Sequence, residues 1–150
     1  KVTILPLALT DQISTQSFNL STTAWGGALS SFGVDFDQFG GKHISSFQYR
    51  TLGIPMSFLV DQLHIPQPDY LKIDVDGIEH FVLRGGSKIL LNVKSVLVEV
   101  TDDFLEQSSE STLILKSAGF TLYRKDSCFP GSSTYNQWWI RGDSGPLRSD

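Results

Sequence analysis

Apolar and polar positions alternate along this chain in two textures. Through residue 56 the sequence is rich in Ser, Thr, Gly and Phe, with little helical period. Residues 2–9 read as a strand, and 17–20 as a shorter one. Residues 21–41 hold Trp25-Gly26-Gly27 and Gly40-Gly41 without a clear period and predict a loop. Alternation returns at 47–52, which predicts another strand.

From Ser57 onward, helix and strand periods take turns. Residues 57–63 predict a short helix, closed by Pro66 and Pro68. Residues 70–75 form a compact strand pattern. Ile78, Phe81, Val82, Ile89 and Leu90 then share one side of a 3.6-residue period, with Gly85-Gly86 ending or breaking that helix. Residues 95–100 read as a buried strand, and 108–118 as a helix stopped by Gly119. Residues 120–124 and 135–140 predict two closing strands around a loop with Pro130 and Gly131. Alternating strands and helices imply an α/β domain with a parallel sheet, and the closing pair implies an antiparallel hairpin. The domain is expected over 1–141, with a polar tail at 142–150.

Composition narrows the function classes. The 150 residues are 40% hydrophobic, and 12 Lys and Arg face 16 Asp and Glu for a net charge of −4. No basic nucleic-acid footprint is present. No apolar run approaches the ~18 residues of a membrane-spanning helix. The single cysteine, Cys128, rules out an internal disulfide and points to a reducing cytoplasm. The chain opens at Lys1, without Met, directly into a strand-like run, so the sequence is expected to begin mid-fold.

Carboxylates gather in Lys72-Ile73-Asp74-Val75-Asp76-Gly77-Ile78-Glu79. In an open α/β sheet, ligands bind beyond the carboxyl ends of strands, and this segment is such an end. Asp76 and Glu79 have the spacing of a helix capping box and suit the positive end of the helix dipole. Asp74 shares a strand face with Lys72, where two charges need either mutual pairing or a task. Glu99, near the end of the next strand, is placed to join Asp74 as an ion-pair neighbour, a metal ligand or a base. His43, His64 and His80 lack metal-ligand spacing and read as surface or packing residues. Cys128 reads as a free thiol in a polar loop. The adjacent Trp138 and Trp139 point to opposite faces as core or sheet cover, and residues 25–31 have the make-up of a flexible lid.

The run Pro68-Asp69-Tyr70-Leu71-Lys72-Ile73-Asp74-Val75-Asp76-Gly77-Ile78-Glu79, then Val82-Leu83-Arg84-Gly85-Gly86, resembles the FkbM family of S-adenosylmethionine-dependent methyltransferases. That family's hallmark is K-I-D-V-E-G-x-E followed by V-L-x-G. Residues 2–11, ending Ala8-Leu9-Thr10-Asp11, are similar to its third strand and turn. Residues 97–100 are similar to its fifth strand, and 118–123 to its sixth. Asp76 departs from the family's usual Glu, which shortens any contact the longer side chain makes.

The resemblance implies a Rossmann-like class I methyltransferase sheet flanked by helices, mostly parallel, with a terminal antiparallel hairpin. Its strand order would be 3-2-1-4-5-7-6. The glycine-rich turn after the first strand and the acid ending the second, which grip the cofactor, have no counterpart here, so the first two strands would lie before Lys1. By the same resemblance Leu9 and Asp11 would lie near the adenine, and Asp74, Asp76 and Glu99 would face the methyl group and a small-molecule or glycan hydroxyl acceptor. A carboxylate there would take or orient the hydroxyl proton; a divalent ion on Asp74 and Glu99 is the lesser variant. Two other classes compete. Asp74-Val75-Asp76-Gly77 also resembles the nucleophile motif of haloacid-dehalogenase-type phosphatases, though without that family's continuation. A partial domain acting as a non-catalytic binding module is the third.

Overall fold

The computed structural model describes residues 2–142. Along the chain run β1 (Ala8–Leu9), β2 (Ser14–Leu20), β3 (Ser30–Phe32), β4 (Phe47–Ile54), α1 (Met56–Asp61) and β5 (Tyr70–Ile73). They are followed by α2 (Glu79–Gly85), α3 (Ser87–Leu90), β6 (Ser95–Thr101), α4 (Leu105–Ser117), β7 (Phe120–Ser127) and β8 (Thr134–Arg141). The polar tail expected at 142–150 lies outside the described residues beyond Gly142.

The strands form two four-stranded sheets, ordered β1-β4-β2-β3 and β5-β6-β8-β7. This corrects the expectation of one mostly parallel sheet. Only β1 with β4 and β5 with β6 pair in parallel, and the other four pairings are antiparallel. β2, β3 and β4 follow one another with no helix between them, so β2 pairs antiparallel with both of the others, an arrangement that needs no crossover helix. The closing hairpin is present: β7 pairs antiparallel with β8, and β8 lies between β7 and β6.

Element boundaries differ in instructive places. The strand expected over 2–9 shrinks to Ala8–Leu9, because Val2 and Ile4 are exposed and only Ala8 and Leu9 find a partner, at Gly53 and Ile54. The loop expected over 21–41 contains β3, a short strand whose Ser31 and Phe32 are buried. The helix expected across 78–90 breaks at Gly86 into α2 and α3. Gly119 ends α4 with φ +88°, as its position predicted.

The main core lies under one face of the second sheet. Val96, Val98 and Val100 of β6 are buried there with Ile73, Trp139, Leu83, Leu90 and Leu115. Leu97 and Glu99 alternate to the opposite face and are only half-buried. A smaller core of Ala8, Phe32 and Ile78 joins the first sheet to the segment after β5. Val75 packs against both cores and so locks the two sheets together at the carboxyl end of β5.

Gly85 permits this junction. A Cβ at Gly85 would stand 2.1 Å from the Thr10 carbonyl oxygen, so only glycine lets α2 approach the end of β1. The first glycine of the Val82–Gly86 run is therefore a packing requirement between a helix and a strand end.

Candidate functional site

Strand β5 ends at Ile73, and the chain then makes a tight excursion before α2. Asp76 takes φ +57° and Gly77 φ +116°, two consecutive residues outside the usual right-handed region. Aspartate tolerates the left-handed conformation better than most residues, whereas φ +116° requires glycine. Gly77 also has no space for a side chain, since a Cβ would come within 2.9 Å of the Asp37 carbonyl oxygen.

Glu79 holds this excursion in place from below. Its carboxylate is 2% exposed and accepts the N–H groups of Val75 at 3.1 Å and Gly77 at 3.1 Å. Gln107 of α4 donates its Nε2 to the same carboxylate, and its Oε1 accepts the Thr101 N–H at 2.7 Å. Burial nonetheless pushes the Glu79 carboxyl above its ordinary range, outweighing the hydrogen bonds that favour the charged form. The capping box expected of Asp76 and Glu79 is not formed. Ile78 occupies the N-cap without a side-chain bond, and Glu79 reaches back to the loop instead. Asp76 instead reaches across to the first sheet, where its Oδ2 accepts the Ser30 N–H of β3 at 3.1 Å.

Between the two sheets lies a cleft of about 350 Å³. Leu7, Leu9, Phe18 and Phe32 line one side, and Asp74, Asp76 and Ile78 the other. Leu9 of the expected cofactor pair thus meets Asp74 and Asp76 of the expected acceptor group. Asp11 does not line the cleft. Its carboxylate pairs with Arg84 Nη1 at 2.9 Å, and the same guanidinium holds Glu110 of α4.

Asp74 is paired with Lys72, Nζ to Oδ2 at 2.5 Å, on the half-open face of the second sheet. The parallel register sets Lys72 beside Leu97 and Ile73 beside Val98, so the next step brings Asp74 alongside Glu99 on that face. Glu99 in turn accepts a hydrogen bond from the Cys128 thiol at 3.2 Å, and Asn136 donates to Cys128 Sγ at 3.3 Å. Burial and the Glu99 carboxylate push the Cys128 thiol up to about 11. Cys128 is therefore more than a loop thiol. Its contact with Glu99 was hidden because a bend after β7 carries it over the sheet, a relation no local spacing encodes.

Other predicted residues behave as packing. Trp139 is buried while Trp138 stacks edge-on against Tyr123 at 5.2 Å. His80 is fully buried against Phe81 and Phe104, and burial pulls its pKa down. His43 Nε2 lies 3.0 Å from the Leu29 carbonyl oxygen. Among the described residues no three His, Cys, Asp or Glu side chains come together as a metal-holding group, so the divalent ion on Asp74 and Glu99 has too few donors. No described helix is long and apolar enough to cross a membrane.

The cleft lies at the carboxyl end of β5, the position at which open α/β sheets bind ligands. The family described as Methyltransferase FkbM domain matches residues 2–122, and the chain belongs to it. No curated protein and no solved structure matches the chain. The family match lends nothing to the phosphatase reading.

The cleft offers part of what S-adenosylmethionine needs. Leu7 and Leu9 give an apolar wall, but the described residues contain no G-x-G turn directly after a strand, and Asp11 is already committed to Arg84. The residues present do not by themselves fit the whole cofactor.

Proposed function

We propose that this chain builds the acceptor side of an S-adenosylmethionine-dependent O-methyltransferase. The observation that carries this reading is the cleft itself, in a chain of the FkbM family, where Leu9 of β1 faces Asp74 and Asp76 across a single space. Residues outside 1–150 would complete the cofactor side. Two features support that division. β5 is an edge strand of its sheet, and an apolar groove of about 200 Å³ runs along it, lined by Leu9, Val60, Leu71, Val75 and Val82. An unpaired strand edge beside apolar surface is where further strands would add.

Within the cleft the carboxylates act on the acceptor. A hydroxyl group seated against Asp74 or Asp76 donates its hydrogen bond to the carboxylate, which orients the oxygen. That carboxylate would hold the hydroxyl proton when a bound sulfonium donor supplied the methyl group, the O–C bond forming as the donor's C–S bond breaks and the thioether leaves. Glu79 takes no part in the chemistry; it fixes the loop that presents Asp76.

The test is methyl transfer from isotopically labelled S-adenosylmethionine to hydroxyl acceptors by the longest natural form of the protein. Asp74→Asn and Asp76→Asn should each lower kcat by about 10²-fold or more with a small change in KM. Full turnover in both variants would overturn the assignment. Calorimetry on the 150-residue chain alone should show little cofactor binding, and micromolar affinity would show that the cofactor side is already complete.

A further inference from the structure

The first sheet carries a row of aromatic rings that extends beyond the methyl-transfer cleft. Phe18 of β2 lies directly opposite Tyr49 of β4, with ring centroids 5.4 Å apart and planes tilted by 32°. Phe47 stands two residues from Tyr49 and therefore on the same face, at 6.3 Å and 36°. Phe47 and Tyr49 are 51% and 45% exposed, an unusual degree for aromatic side chains in adjoining strand positions. Phe18 also lines the cleft that holds Asp74 and Asp76. The row therefore begins inside the cleft and runs outward over the sheet.

From this continuity, and resting on the reading of the cleft as the acceptor site, we infer that Phe18, Tyr49 and Phe47 form a binding platform for a neutral saccharide whose reacting hydroxyl enters the cleft. Two observations select this chemistry. Phe47 and Tyr49 are each about half exposed, which suits a ligand that keeps one face in water. A pyranose is such a ligand: its C–H face covers an aromatic ring while its hydroxyls remain solvated. The carboxylates at the inner end accept hydrogen bonds from hydroxyls and repel anions, and the neighbouring Lys72 is already paired with Asp74.

An alkyl chain fits less well. It would gain most from a closed apolar channel, whereas half of each outer ring faces solvent.

The experiment is an amide-shift NMR titration of the 150-residue chain with a panel of neutral oligosaccharides of differing linkage, with uronate-containing counterparts, and with laurate as an alkyl probe. At least one neutral saccharide should give saturable shifts centred on Phe18, Phe47 and Tyr49, with uronates binding more weakly. Phe47→Ala and Tyr49→Ala should each weaken that binding by about tenfold, while Tyr49→Phe keeps the ring and most of the affinity. Unchanged spectra elsewhere in the sheet verify folding of the variants. Absence of shifts across the neutral panel, equal binding of uronates, or laurate alone occupying the row would each overturn the inference.

No methyl donor enters this titration, so the two readings fail separately. Saccharide binding without methyl transfer in the longer protein sinks the methyltransferase reading and leaves the platform standing. Methyl transfer to acceptors that are not saccharides does the reverse.

Discussion

Gln107 joins the carboxyl ends of two strands by bonding Glu79 on one side and the Thr101 backbone on the other. Its amide nitrogen serves the carboxylate beneath the Asp76 loop, and its carbonyl oxygen serves the end of β6. All three groups are buried; the Thr101 N–H relies on this side chain, while the Glu79 carboxylate also accepts from Val75 and Gly77. Gln107→Ala should cost about 1–3 kcal/mol, since it leaves the buried Thr101 N–H unpaired and takes one donor from the Glu79 carboxylate. Urea denaturation measures this. A loss below about 0.5 kcal/mol would show that water replaces the amide without penalty.

Glu79 makes an unusual pH dependence testable. Its folded-state pKa lies above the ordinary carboxylate value, so the protonated form is favoured by folding. Its contribution is fully present below about pH 4.5 and is lost as pH rises through the raised value. Glu79→Gln should flatten this part of the stability curve, measured as urea midpoints from pH 4 upward. A wild-type contribution that instead grows with pH across this window would contradict the assignment.

His80 titrates with the opposite sense. Burial lowers its pKa, and Glu106 and Glu110 of α4 and Asp11 only partly oppose that effect, while Arg84 adds to it. The stability associated with neutral His80 is present above about pH 6.5 and falls as pH drops through the depressed value. His80→Leu should remove that slope, which thermal melts between pH 7 and 5 would reveal.

Gly85→Ala should displace α2 from the end of β1, because the added carbon would overlap the Thr10 carbonyl oxygen. Relieving that overlap requires backbone movement, and the expected loss is about 1–3 kcal/mol. A melting temperature equal to that of the parent would mean the two elements separate freely.

Cys128 should alkylate slowly. With its thiol pushed up to about 11, the thiolate fraction at pH 8 is roughly a hundredth of that of a thiol titrating near 9. Glu99→Gln removes the neighbouring charge and should speed iodoacetamide labelling at that pH. Equal rates would show that Glu99 does not govern the thiol.

Much of the second half was legible from local pattern. The 3.6-residue spacing from Ile78 marked α2 and α3, the buried-strand run at 95–100 marked β6, and Gly119 marked the end of α4. These elements bury one face against a common core, so periodicity carries their identity. The first half was harder. β3 has three residues inside a glycine-rich stretch, and β4 is largely exposed in its first half, which blurs the apolar signal that sequence patterns depend on.

The site divides the same way. Sequence by itself determined that Asp74, Asp76, Gly77 and Glu79 sit together at a strand end, because neighbours in the chain must be neighbours in space. It also carried the family resemblance, through the same residues. Only the tertiary structure decided what each acid does. Asp76 left the helix to hold Ser30, Glu79 turned inward under the loop, Asp11 went to Arg84, and Glu99 met a thiol from beyond β7. Those partners lie between 2 and 73 positions away in the chain. A carboxylate's role is set by the donors and the dielectric around it, and beyond the nearest of them these belong to the fold.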